Sequence, residues 1–367
     1  MSAVWPPFLT NPGSYKVVSM PTVTGVSVLI CCHNSAQRLP PTLAHLAAQG
    51  HTENIAWEII VIDNASTDDT VSVARSVWPA DGPAPLRVVA EPQAGLTFAR
   101  LKGISEARYS ILIFVDDDNW LGPGYISRTA RIMEEHPEVA VCNGFCSAVP
   151  EDEPPSWFTD CHHYYAVSDP TWPCGDVTGT NHEPFGAGMA IRKAAVVRLQ
   201  EQGFKPLLVG RQGKNIASGE DTEMCIALRL AGWRWWRDPD LRFQHYIPKG
   251  RMNWRYCLSL ARAAGASCTM LDLYEFALTP GTSTLRGRLR ESWFRDALWS
   301  ILRILRQPRT LLRRLAGSGE GDRARLRLEA QFGRLQALIC VKPGRRAAVV
   351  AQLREAQWIV RDGPAGK

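Results

Sequence analysis

Three consecutive carboxylates, Asp116-Asp117-Asp118, follow directly on the apolar run Ile111 to Val115. Adjacent carboxylates repel unless cations compensate them, so a triplet aimed into a cleft by a buried strand suits a divalent metal. A solvated turn with a helix cap at Asp118 is the plainer alternative. Glu220 and Asp221 precede Met224, Ile226, Ala227 and Leu230, a spacing that puts both carboxylates in the first turn of a helix. There they serve the helix dipole, and one could also take a proton from a hydroxyl. His245, in Leu241-Arg-Phe-Gln-His-Tyr-Ile-Pro248, is either a core histidine or a ligand. Trp233, Trp235 and Trp236 could stack on sugar rings or fill a core. A zinc set drawn from Cys142, Cys146, Cys161, His162, His163, Cys174 and His182 has irregular gaps and lacks the C-x-x-C spacing of a ribbon.

The elements that must hold these groups follow from periodicity. Val26 to Cys31, Trp57 to Ile62, Leu86 to Ala90 and Tyr109 to Val115 are short apolar runs without alternation. Each of the first three leads into a stretch with helical spacing: Leu39 to Ala47, Val71 to Val77, and Thr97 to Ala107 after Gly95. Buried strands alternating with helices predict a parallel sheet covered on both faces, with ligands bound beyond the carboxyl ends of its strands. Asn34, Asp63, Gly95, Arg100 and Asp116 to Asp118 all fall at or just past those ends. Further on, the pattern predicts a helix from Gly124 to His136, a strand over Phe185 to Ile191, a helix over Glu220 to Ala231 and a strand starting at Trp233. Beyond Leu285 the chain reads as helical, broken near Gly317 to Gly321.

Taken in order, Val26-Ser-Val-Leu-Ile-Cys-Cys-His-Asn34, Ile60-Val-Ile-Asp63-Asn-Ala-Ser-Thr-Asp68-Asp69, Gln93-Ala-Gly95-Leu-Thr-Phe-Ala99-Arg100, Phe114-Val-Asp116-Asp-Asp118 and Gly219-Glu220-Asp221 resemble the motif series of family-two glycosyltransferases of GT-A fold. The resemblance covers about Val26 to Tyr246; Cys31-Cys32-His33 stands where Pro-Thr-Tyr is common. It implies an α/β fold with a mixed, mainly parallel sheet, with a nucleotide-sugar half over 26–119 and an acceptor half over 120–274. Outside it, the sequence pattern leaves an extension over residues 1–25 and adds a helical C-terminal appendage, a basic helical region over 275–367. In function it implies inverting transfer of a hexosyl group from a UDP-linked donor to a hydroxyl of a glycan or lipid-linked acceptor. Asp63 would accept a hydrogen bond from uracil, flanked by Cys32 and Asn34. Gly95, Arg100, Asp116 and Asp117 would complete the donor site, with Arg100 near the diphosphate and Asp116 at the ribose. Asp118, with His245 and Asp116, would hold Mn²⁺ or Mg²⁺. Asp221 would be the base, with Glu220 the next candidate.

Composition agrees with a folded protein of this kind: 367 residues, 45% hydrophobic and 21% charged. The net charge of +6 is local. Leu285 to Leu315 carries Arg286, Arg288, Arg290, Arg295, Arg303, Arg306, Arg309, Arg313 and Arg314 against Glu291 and Asp296, so nucleic acid is not an expected partner of the main body. Within that stretch Trp293, Phe294, Ala297, Leu298, Ile301, Leu302, Ile304 and Leu305 form one apolar arc, suited either to covering the main domain or to lying on an anionic membrane. No apolar run is long enough to span a bilayer and no secretory leader is evident, so the expected location is cytoplasmic and peripheral at the inner membrane face. Two rivals remain at this point. A sugar nucleotidyltransferase would be expected to show a glycine-rich phosphate loop, and Cys32 to Arg38 has no glycine. A non-catalytic membrane or nucleic-acid adaptor built on the tail leaves the acidic residues unexplained.

Overall fold

The computed structural model describes residues 23–180, 182–208, 210, 218–278, 293–317, 319–341 and 343–361. Most of the expected extension 1–25, and Arg286, Arg288 and Arg290, lie outside the described residues. The chain opens with β1 (Val26–Cys32), α1 (Leu39–Ala47), β2 (Trp57–Asp63), α2 (Thr70–Val77), β3 (Leu86–Ala90), α3 (Leu96–Glu106) and β4 (Ile111–Asp116). It continues through β5 (Asn119–Leu121), α4 (Tyr125–Glu135), β6 (Val139–Pro150), α5 (Phe158–Cys161), β7 (Gly175–Asp176), β8 (Ala190–Arg192), α6 (Lys193–Glu201), α7 (Glu220–Leu230), β9 (Arg234–Ile247) and α8 (Trp254–Leu278). Four more helices follow: α9 (Trp293–Leu305), α10 (Pro308–Leu315), α11 (Arg323–Cys340) and α12 (Pro343–Glu355).

The strands form one mixed sheet in the order β3-β2-β1-β4-β8-β6-β9-β5, with β7 on β9. Its first four strands are parallel, and β8 reverses direction between β4 and β6. Because β1 is covered on both faces, its side chains alternate between two cores. Val28 and Ile30 pack with Leu39 and Leu43 of α1, whereas Leu29 packs with Ala99 and Ile104 of α3. Each such fully buried aliphatic side chain contributes about 1.5–3 kcal/mol through apolar transfer, which makes this strand a rigid base for the loop at its end. The parallel register aligns Cys32 with Asp63 and Cys31 with Asp116, so the polar ends of β1, β2 and β4 share one edge.

Three expectations change. The strand expected over Phe185 to Ile191 is confined to Ala190–Arg192, because a turn at Gly186 to Gly188 precedes it. The boundary at 119/120 falls in β5 and the one at 274/275 falls inside α8, and a single sheet runs through both halves. The C-terminal helices are part of the fold. Val350, Leu353, Trp358 and Ile359 join the same core as Leu29 and Phe114. Gly265 and Gly333 let α8 and α11 touch: a Cβ at either would lie 2.0 Å or 1.9 Å from the carbonyl oxygen of Ala330 or Arg262.

Candidate functional site

The loop after β1 is held by side chains from the loop after β2. Four consecutive amides are taken: His33 N–H donates to Ser35 Oγ, Asn34 to Ser66 Oγ, Ser35 to Thr70 Oγ1 and Ala36 to Asp68 Oδ2, at 2.8–3.1 Å. Phosphate-cradling loops work through free amides, so this loop is not built as one. Asn34 has a left-handed backbone (φ 52°), and its Oδ1 accepts from Thr67 N at 2.8 Å. Asp63 Oδ1 accepts from Ser66 N at 3.2 Å, and Oδ2 has no donor among the described residues. Asn64, not singled out in the sequence, ties three loops together. Its Nδ2 donates to the carbonyls of Glu91 and Gln93, and its Oδ1 accepts from Gly95 N at 2.7 Å.

Strand alternation corrects one expected contact. Cys32 is fully buried on the α1 side, among Ile30 and Leu39, so its side chain cannot reach a nucleoside. Cys31, on the opposite face, neighbours Arg100 and Asp116, and burial pushes its thiol up to about 12. Asp117 is a second correction. Its Oδ2 accepts from Arg38 Nε and Nη2 at 3.1 and 2.6 Å, so its carboxylate is committed to the start of α1 and is not free for a donor, while burial and the charge of Asp118 raise it.

Asp116 and Asp118 face a different set of partners. Burial and the charge of Asp118 raise the Asp116 carboxyl, opposed by Arg100 and His245. Asp118 is held well below the usual carboxylate range: burial opposes this, but His245, Arg251 and Arg38 together outweigh it. β5 pairs antiparallel with β9, aligning Asn119 with His245, and so brings His245 Nε2 to 3.5 Å from Asp118 Oδ1. His245 Nδ1 lies 2.8 Å from the Tyr165 carbonyl, to which it donates. Against burial, Asp118 with Asp116 raises the ring above its ordinary value, so Nε2 favours holding a proton toward Asp118, the position a cation would take. That arrangement of a ring orientated by its other nitrogen is the one metal-ligating histidines use, and the donor set of carboxylate and imidazole fits a divalent cation. The other Asp118 oxygen accepts from Arg251 Nη1 at 2.9 Å, a contact with no sequence signal because Arg251 lies in a short turn after β9. Among the described residues no group of three His, Cys, Asp or Glu side chains gathers as a metal site, the suggested zinc set included. Two protein donors therefore leave most coordination positions to a ligand.

On the facing side, α7 starts at Gly219 and presents Glu220 and Asp221. Arg100 of α3 reaches across to them, with Nη1 3.2 Å from Glu220 Oε1. Asp221 Oδ2 accepts from Gly186 N at 2.6 Å and its Oδ1 from Thr222 N at 2.8 Å. Gly186 is needed there: a Cβ would lie 2.5 Å from Arg100 Nη2 and 2.8 Å from Asp221 Oδ2. The turn that carries it is pinned by Asn143, whose Nδ2 donates to the Phe185 and Ala187 carbonyls. Burial and neighbouring Asp221 raise the Glu220 carboxyl to about 7 against the opposing charge of Arg100, and its buried Oε2 has no partner among the described residues. The three tryptophans are structural: Trp233 and Trp235 are in the core, and Trp236 stacks on His136 at 4.0 Å. The arrangement thus gathers two acidic groups with a histidine at one side and an arginine with two acidic groups at the other, joined through Arg100. Such a site can neutralise a polyanionic ligand and place a carboxylate beside a hydroxyl.

Residues 27–195 match the family described as Glycosyl transferase family 2. The chain is similar to the succinoglycan biosynthesis protein ExoU of Rhizobium meliloti, 34% identical over 27% of this chain and 29% of that protein. It is also similar to a dodecaprenyl-phosphate galacturonate synthase of Rhizobium johnstonii, 25% identical over 47% of this chain and 49% of that protein. The match thus spans from under a third to about half of these relatives' length. Among solved structures, TarS 1-349 of S. aureus superposes with a TM-score of 0.45 at 15% identity, covering 91% of this chain and 92% of that one.

Proposed function

We propose that the chain, whose residues 27–195 match glycosyl transferase family 2, transfers a hexosyl group from a UDP-linked donor to a hydroxyl of a glycan or lipid-linked acceptor. The names of the two relatives, a polysaccharide biosynthesis protein and a polyprenyl-phosphate sugar synthase, support an acceptor of this class. The observation that carries the reading is the meeting of Asp116, Asp118 and His245 with Arg100, Glu220 and Asp221 at the carboxyl edge of β1 and β4.

In this reading Asp63 Oδ2 accepts from the N3–H of the base and Asp116 meets the ribose. Arg100, now paired with Glu220, turns toward the diphosphate and offsets its charge. Asp118 and His245 would hold Mn²⁺ or Mg²⁺, with Asp116 alongside, and the cation would supply neutralisation of the diphosphate as it leaves. Asp221 takes the acceptor proton while the hydroxyl oxygen forms its bond to the anomeric carbon and the bond to the diphosphate breaks. One base on the face opposite the leaving group gives inversion. The two backbone N–H bonds to Asp221 fix its orientation, and each oxygen retains a lone pair for the acceptor.

Release of UDP from a panel of UDP-hexoses, with polyprenyl phosphate or oligosaccharide acceptors and Mn²⁺, tests the reading on the full chain. Acceptor-dependent release with at least one donor is the expected result. Incorporation of a nucleoside monophosphate from a nucleoside triphosphate, with release of pyrophosphate, would instead make it a nucleotidyltransferase.

A further inference from the structure

The outer face of α9 and α10 is apolar and basic at once. α9 turns Ala297, Ser300 and Ile304 inward, together with Asp296, which is paired with Arg346. The next stripe, Phe294, Leu298, Ile301 and Leu305, is spaced i, i+4, i+7, i+11 and so runs along one side of the helix. These four are 73%, 56%, 40% and 61% exposed, and on α10 Leu312 and Leu315 are 66% and 79% exposed. Only half of the apolar arc expected from the sequence therefore covers the main domain. Arg306, just past the end of α9, and Arg309, three residues before Leu312 on α10, are exposed on its flank, and neither has a carboxylate partner among the described residues; Arg303, nine residues from Phe294, is exposed on the opposite side of α9. Arg306 lies 6.0 Å from the ring of Trp299, itself 46% exposed.

We propose that this face docks on an anionic lipid bilayer, with α9 and α10 lying in the plane of the headgroups. The apolar stripe would enter the acyl boundary, and Arg306 and Arg309 would meet the headgroups. Charge selects this occupant. A second copy meeting the same face across a two-fold axis would set these arginines against their own equivalents. A nucleic acid would satisfy the arginines but leave the leucines and Phe294 in water. The helices also have the right length: among the described residues no helix is long and apolar enough to cross a membrane, whereas 13 residues of α9 extend about 20 Å along a surface. This inference goes beyond the transferase reading and does not depend on it.

Co-sedimentation of the full chain with vesicles of phosphatidylcholine, alone or mixed with phosphatidylglycerol, tests it without donor or acceptor, so its outcome is separate from that of the activity. Binding should require phosphatidylglycerol and weaken with added salt. The variant R306Q/R309Q should bind about 30-fold more weakly, from about 1 kcal/mol per arginine. The variant F294S/L298S/L305S should lose at least tenfold. All five side chains are exposed, so both variants should keep the wild-type circular dichroism and melting temperature. Equal binding to neutral and anionic vesicles, no binding, or variants that bind like wild type would each overturn the proposal. So would a concentration-dependent dimer abolished by F294S/L298S/L305S, which would assign the face to a second copy.

Discussion

Replacing Glu220 with glutamine should alter how stability responds to pH, and the size of the change follows from the site. Burial and Asp221 lift this carboxyl from 4.5 to about 7 in the folded chain, against the pull of Arg100. Below pH 4.5 the group is protonated in both folded and unfolded chains and carries no penalty. As pH rises from 4.5 toward 7, the unfolded chain releases its proton first, so the folded state loses stability. Above 7 the loss is complete, about 3 kcal/mol at 1.36 kcal/mol per pH unit. Glutamine has the same shape and does not ionise. Leaving Arg100 with one partner fewer adds an offset, but the offset varies little with pH. Urea unfolding of both proteins at intervals from pH 4.5 to 8 should therefore show E220Q gaining on wild type by about 3 kcal/mol, mostly between pH 5 and 7. Parallel stability curves would refute the reasoning and mean that Glu220 is ionised throughout. The same carboxyl should take up a proton when a diphosphate binds nearby. Calorimetry in buffers of different ionisation enthalpy should detect that uptake near pH 7 in wild type and not in E220Q.

Asp221→Asn removes the basic oxygen and keeps the shape, so turnover should fall by about 10² to 10⁴ with donor affinity retained. Proton coupling at the anomeric carbon of the product should show a β linkage from an α-linked donor; a retained configuration would exclude a single-base displacement. Gly186→Ala would press a methyl group against Arg100 Nη2 and Asp221 Oδ2. Turnover should drop while the melting temperature changes little, because Arg100 can swing away, and unchanged turnover would show that the Asp221 contact is not used. His245→Ala should weaken Mn²⁺-dependent donor binding measured by calorimetry, and an unchanged metal dependence would return His245 to the core.

What could be read from the sequence is what short-range patterns encode. β1, β2 and β4 are apolar on both faces and end on polar residues, so their direction and the edge that collects Asp63 and Asp116 follow from local order. Cys32 was misassigned because the motif places the pair Cys31-Cys32 at the strand end without saying which member faces α1. Asp117 looked equivalent to its neighbours until Arg38, 79 positions away, claimed its carboxylate. Asn64 stands inside a motif, but its role in joining loops rests on long-range hydrogen bonds; Asn143 and Arg251 also act through such bonds to backbone or carboxylate, and nothing in their immediate surroundings marks them. β6 and α8 also escaped, since runs such as Val139 to Pro150 and Trp254 to Leu278 are only partly periodic and get their state from packing on β9 and α11. The tail illustrates a mixed case. Its helical arc was legible, but the division between an inward and an outward half depends on Asp296 finding Arg346. Because Leu353 and Trp358 are in the main core, removing the chain beyond Leu285 would unfold it, and only surface substitutions can separate docking from folding.

The account rests on the edge formed by β1, β2 and β4 being a nucleoside diphosphate site, and direct titration of UDP tests it most plainly. Calorimetry on the full chain should show UDP binding in the presence of Mn²⁺, weakened by a chelator and by Asp118→Ala, and reduced separately by Asp63→Ala through loss of the base contact. Both variants should remain folded, since Asp63 ends β2 and Asp118 lies in the turn between β4 and β5, and neither belongs to an apolar core. Absence of UDP binding, or binding equal in wild type and both variants, would contradict the account.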